Sequence, residues 1–147
     1  METKRLVVGF GWGVVATLAM SALMILGVVT GLSPMPSPIP AAIVNMGLEL
    51  LGVGLPLPLI MLLAAVAHLS YGGVWGAVLA ALTRPVTIWK GLGLGVFLWL
   101  LMQIVVFPFL GWGVFGVGIT PLIAVATLVL HLVYGAALGL LMDRGQK

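Results

Sequence analysis

The sequence predicts an all-α membrane fold: four transmembrane helices arranged as two parallel-repeat hairpins, with a short interfacial helix in the first outside loop. Three observations carry this prediction. Of 147 residues, 63% are hydrophobic and 6% charged, whereas a soluble domain needs about 25% charged residues to keep its surface wet. Four uncharged stretches are long enough to cross the hydrocarbon core, which takes about 20 apolar residues. The six basic residues all fall on one side of the resulting four-span topology.

The first span, Leu6–Val29, follows Lys4 and Arg5. A signal peptide opens in the same way, but this run is long and no small-x-small cleavage site follows it, so it reads as a retained helix. The outside loop 31–56 begins with alternating prolines (Pro34, Pro36, Pro38, Pro40) that remove backbone donors and enforce extended geometry. Ala41–Leu51 then reads as an amphipathic helix, with Asn45 and Glu49 beside Ile43, Val44, Met46 and Leu48. Such a segment is expected on the outer membrane surface or under a partner. The remaining spans are Pro58–Leu82, Gly91–Leu110 and Pro121–Met142. One membrane domain, 1–147, is expected, divided into repeat 1 (4–83) and repeat 2 (88–143).

Orientation follows from the basic residues: Lys4 and Arg5, Arg84 and Lys90, Arg144 and Lys147 flank the same side. Cytoplasmic loops accumulate Lys and Arg, so both termini are expected inside. The net charge of +3 comes from residues spread along the chain and forming no patch, so no nucleic-acid partner is expected.

The repeat is carried by the second and fourth spans. Pro58-Leu-Ile, seven residues and His68-Leu-x-Tyr71-Gly72-x-x-x-Gly76 match Pro121-Leu-Ile, seven residues and His131-Leu-x-Tyr134-Gly135-x-x-x-Gly139 at a constant spacing of 63. These are the only histidines and the only tyrosines in the chain. The first and third spans match less closely, Lys4 with Lys90, Gly9 with Gly95, Thr17 with Gln103 and Gly27 with Gly113, at a spacing of 86. The extra 23 residues correspond in size to the proline-rich and amphipathic insert of the first half. Each repeat holds an even number of spans, so the copies share one orientation about an axis along the membrane normal.

On a helix, positions i, i+4 and i+8 share a stripe. His68, Gly72 and Gly76 therefore lie on one face with Ala64, and His131, Gly135 and Gly139 on one face with Thr127. Stripes of small residues let helices approach closely. The simplest expectation is that the second and fourth spans cross on these glycines, flanked by Tyr71 and Tyr134, each histidine bonding a carbonyl, Thr127, Gln103 or the opposite tyrosine. The sharper alternative makes His68 and His131 the two axial ligands of a b-type haem between the helices. Against it stand the room that a close crossing leaves and the position of Arg84 and Lys90, the basic partners for propionates, at the inner boundary. A proton or small-solute carrier is the third reading, although no acidic residue lies within a span.

Other chemistries find no support. The chain has no cysteine, and Glu2, Glu49 and Asp143 all lie outside the spans, so an enzyme is not expected. Gly9-x-Gly11-x-Gly13 and Gly91-x-Gly93-x-Gly95 open apolar helices rather than follow a strand, which makes them packing glycines and not nucleotide loops. Trp12, Trp89 and Trp112 fall near span ends, as an interfacial belt places them.

The stretch Gly91–Gly116, with Phe107-Pro108, Gly111-Trp-Gly113 and Phe115-Gly116, together with His131-Leu-Val-Tyr-Gly135, Gly139 and the early Val14–Met20, resembles a family of small prokaryotic membrane proteins of unknown function. The resemblance implies four helices in a duplicated hairpin and a place in the prokaryotic inner membrane. It implies no activity and no site residue. The expected role is that of an accessory or assembly subunit. Its contacts would be with lipid and with other membrane subunits or further copies of the chain, made through the outside loop and the glycine-lined faces, with no obligatory cofactor.

Overall fold

The computed structural model describes residues 2–145; Lys147, one of the six basic residues, lies outside them. Within them the chain is helical, with no strand. Helix α1 spans Glu2–Val29, α2 Ile39–Leu50, α3 Leu57–Leu82, α4 Ile88–Phe109 and α5 Leu122–Arg144. All but α2 are long and apolar enough to cross a membrane. Prolines start α2 and α3 from their first turns, where a missing N–H costs nothing. Thr87 begins α4 by accepting a hydrogen bond from the Lys90 amide through its side chain.

Each hairpin closes on glycine, though in different pairs from those the sequence suggests. The stripes of the second and fourth spans do not cross one another. Gly72 and Gly76 of α3 pack against Gly9 and Gly13 of α1, and Gly135 and Gly139 of α5 pack against α4 at Gly91 and Gly95. A methyl on Gly139 would stand 2.7 Å from Ile88 Cα, and one on Gly76 would stand 2.8 Å from Gly13 Cα, so backbone touches backbone. The contacts also correct the matching of the first and third spans. Gly13 meets Gly72 and Gly76 as Gly91 meets Gly135 and Gly139, and Thr17 lies against Gly72 as Gly95 lies against Gly135. The structural spacing is therefore 78, about two helical turns short of the 86 read from the sequence.

The hairpins join asymmetrically. Helices α1 and α5 pack on each other, whereas α3 and α4 scarcely touch. A strict twofold would repeat the α1–α5 contact between α4 and α3; instead that quadrant stays open. The main core gathers Ala16, Leu79, Ala80, Leu98, Leu130 and Leu138, the last fully buried, with Leu98 and Leu130 at its border with the open quadrant.

Helix α2 packs on the bundle. Its Ala41 clusters with Ile60 and Ala64 of α3, and its Ile39 belongs to a cluster with Met102 and Phe107 of α4, Leu110 just after α4 and Ile123 of α5. It thus bridges the two hairpins across the end of the open quadrant. Its polar pair, Asn45 hydrogen-bonded to Glu49, faces outward.

Two features escape a hydropathy reading. Helix α4 passes through a π-helical segment at Met102–Val106 just before Pro108. Arg5, expected only as a topology signal, donates to the Ala80 and Thr83 carbonyls at 2.6 and 3.1 Å. These belong to the end of α3, where carbonyls lack helical partners and a cation is favoured. Arg5→Ala is expected to lower stability by about 1–2 kcal/mol, and Arg5→Lys, which keeps the charge, by less. Denaturant unfolding in detergent micelles measures both.

Candidate functional site

The open quadrant holds a cavity of ≈ 400 Å³. Its walls are α1 (Thr17, Met20, Met24), α3 (Ala67, His68, Tyr71, Gly72), α4 (Leu98, Leu101, Met102, Val105, Val106) and α5 (Thr127, Leu130, His131, Tyr134). Ile39, Pro40, Ile43 and Val44 of α2 close one end. Val105 and Tyr71 are about half exposed, so the gap between α3 and α4 is a side entrance facing the surroundings of the bundle.

Both histidines and both tyrosines singled out in the sequence line this one cavity. The repeat places His68 and His131 about halfway along α3 and α5, and the α1–α5 packing turns both faces toward the same space. Symmetry ends there. Tyr134 is buried and donates its hydroxyl to the Gly72 carbonyl at 2.7 Å, which ties α5 to α3 across the bundle. Tyr71 stays at the entrance with its ring edge-on to Trp75.

The imidazoles differ as well. His131 is buried, and its Nδ1–H donates to the Thr127 carbonyl at 2.8 Å, since a carbonyl can only accept. Its Nε2 is therefore left with a lone pair. His68 Nε2 is sealed from solvent and has no hydrogen-bond partner among the described residues. Thr127 donates to Ile123 O at 2.7 Å and receives Gln103 Nε2 at 3.0 Å, as expected of an interhelical polar link.

No family model, curated protein or solved structure matches the chain. The site must be judged on its own chemistry. It holds no Asp, Glu, Lys or Arg. Among the described residues, no group of three or more His, Cys, Asp or Glu is placed to hold a metal ion. Arg84 and Lys90 are occupied elsewhere, Arg84 in an ion pair with Glu2 at 3.6 Å and Lys90 on the Pro85 carbonyl at 2.6 Å. The cavity is thus an apolar space with a few neutral polar groups, the usual constitution of a small-molecule site, and its volume falls within the range such sites occupy.

Gly72, Gly76, Gly135 and Gly139 lie against neighbouring backbone within the hairpins, not against one another across the second and fourth spans. The sequence reading missed Thr17, the methionines Met20, Met24 and Met102, and the role of α2 as a cover. A spacing of four between Gly13 and Thr17 puts both on the α3-facing stripe, a signal visible once the true pairing of the first span is known.

Gln103 is fully buried, and its Oε1 has no partner among the described residues. Thr127 keeps its bond to Ile123 without it. Replacing Gln103 with the similarly shaped Met removes an unpaired acceptor from an apolar setting. It is expected to be neutral or stabilising by about 1 kcal/mol, read as a thermal midpoint in detergent.

Proposed function

We propose that this protein is a multi-pass inner-membrane protein with both termini cytoplasmic, and that its bundle binds a small lipophilic molecule entering sideways from the bilayer. The observation that carries the reading is the shared cavity: five helices leave one quadrant open, α2 covers its end, and the polar residues of both repeats converge on it. Orientation rests on Lys4, Arg5, Arg84, Lys90 and Arg144, which the antiparallel hairpins gather at one end of the bundle.

This reading displaces the accessory-subunit role, because the glycine stripes that would have served a partner are used within the chain. A carrier would need a second exit, and the α2 cover closes the end opposite the basic residues.

Native mass spectrometry of protein extracted from its own membrane tests the proposal. A bound lipophile should add a discrete mass. Ala67→Trp, at the entrance, should abolish it, and Val66→Trp, exposed on an adjoining face of the same helix and no part of the cavity wall, should not. A bare wild-type protein, or equal retention in both variants, would overturn the reading.

The second reading is the bis-histidine haem module. It is favoured by His131, whose Nδ1–H is held by a carbonyl in the way that metal-ligating histidines are oriented. A Soret band with sharp reduced α and β bands, lost in His68→Ala or His131→Ala, is its expected signature in protein from haem-replete cells.

A further inference from the structure

We infer that the molecule recognised in the cavity is a lipophilic alcohol, an uncharged hydrocarbon-tailed ligand whose hydroxyl donates to His131 Nε2. This rests on the cavity being a binding site, and the hydrogen-bond inventory of its wall then selects the head group.

The wall has four donors already spent on backbone carbonyls. Thr17 donates to Gly13 at 2.8 Å, Thr127 to Ile123 at 2.7 Å, Tyr134 to Gly72 at 2.7 Å, and His131 Nδ1 to Thr127 at 2.8 Å. What His131 has left is the lone pair on Nε2, an acceptor. His68 Nε2 has no partner among the described residues but is closed off from the cavity, and the Tyr71 hydroxyl stands at the entrance.

A ligand that satisfies His131 must therefore give it a hydrogen. A hydroxyl does so without carrying a charge. Ethers, esters and ketones have no hydrogen to give and leave His131 Nε2 unpaired. A hydrocarbon does the same. Carboxylates and phosphates would enter a space with no Lys or Arg on its wall, where an unpaired charge is far costlier than an unpaired lone pair. The tail needs no more than the apolar wall formed by Met20, Met24, Leu98, Leu101 and Ile43.

The test uses the full chain in detergent with radiolabelled hexadecanol, competed by unlabelled hexadecanol, hexadecyl methyl ether and hexadecane at equal mole fraction in the micelles. The alcohol should compete about tenfold better than the ether, with hexadecane no better than the ether. His131→Phe should erase the alcohol's advantage, and His131→Gln, whose amide oxygen accepts, should keep part of it. If His131→Phe does not fold, the wild-type comparison of alcohol with ether decides alone. Saturable binding with alcohol and ether equal would overturn the head-group inference and leave the cavity reading standing. No saturable binding of any probe would overturn both.

Discussion

Gly13→Val and Gly135→Val are expected to yield no folded protein, whereas Gly11→Ala and Gly93→Ala should express as well as wild type and be slightly more stable. All four glycines sit in apolar helices in closely similar local sequences, and only the packing separates them. A Cβ at Gly13 would run into the Gly72 carbonyl, and one at Gly135 into the Gly91 carbonyl. Both obstacles are backbone of a neighbouring helix, which cannot rotate away as a side chain can. The helices must move apart along the whole seam, and apolar burial does not restore the loss, because lipid is as apolar as the interior. Overpacking of this kind costs more than about 3 kcal/mol. At Gly11 and Gly93 nothing lies within 4 Å of an added Cβ. There a methyl only removes the helical penalty of glycine, about 0.5–1 kcal/mol. Size-exclusion profiles and thermal midpoints of the four variants in one detergent measure the contrast. Equal behaviour of Gly11→Ala and Gly13→Val would mean that the hairpins do not close on these faces.

The same glycines show what the sequence could and could not reveal. Hydropathy located every long helix to within a few residues, because the hydrocarbon thickness imposes length and composition locally. The His-Leu-x-Tyr-Gly repeat marked the stripe on which close approach occurs, since small residues four apart have few other uses in an apolar helix. Which helix would meet that stripe was beyond it. Gly9, Gly13, Gly91 and Gly95 are as small as Gly72 and Gly135, and any two such faces are complementary. Pairing is settled by connectivity and by the whole bundle, so a match of the first and third spans at a spacing of 86 and the packed register of 78 differ only in which glycines are aligned.

Convergence of the histidines on one space was foreshadowed by the repeat, but the cavity itself was not. A perfect twofold would have filled both quadrants alike. The opening arises because α1 and α5 close together while α3 and α4 do not. Repeat patterns report what two halves share. The site lies where they differ, with Tyr134 bonded across the bundle and Tyr71 left at the entrance.

Phe107→Ala should be the most damaging substitution outside the glycine seams, at about 3–5 kcal/mol, and it should loosen α2 from the bundle. The reason begins in the register of α4. Gly91, Gly95, Leu98 and Met102 are buried at the spacing of one helical face. That face continued would bury residues near 105 and 109. The π-helical segment at Met102–Val106 spends an extra residue and turns the face, so Gln103, Phe107 and Leu110 go inward while Val105 and Phe109 stay about half exposed. Phe107 is fully buried by this shift, with Trp112 5.5 Å away and Ile39, Leu110 and Ile123 in the same cluster. Ile39 belongs to α2, so the void left by alanine opens directly beneath the cover of the cavity. Hydrogen exchange is the decisive readout: amides of α2 should lose protection in Phe107→Ala while those of the α1–α3 seam keep theirs. The nearby exposed change Phe109→Ala, on the other side of Pro108, should do neither. Uniform loss of protection across all helices would instead show that α2 is no separate unit and that the cover opens only when the bundle does.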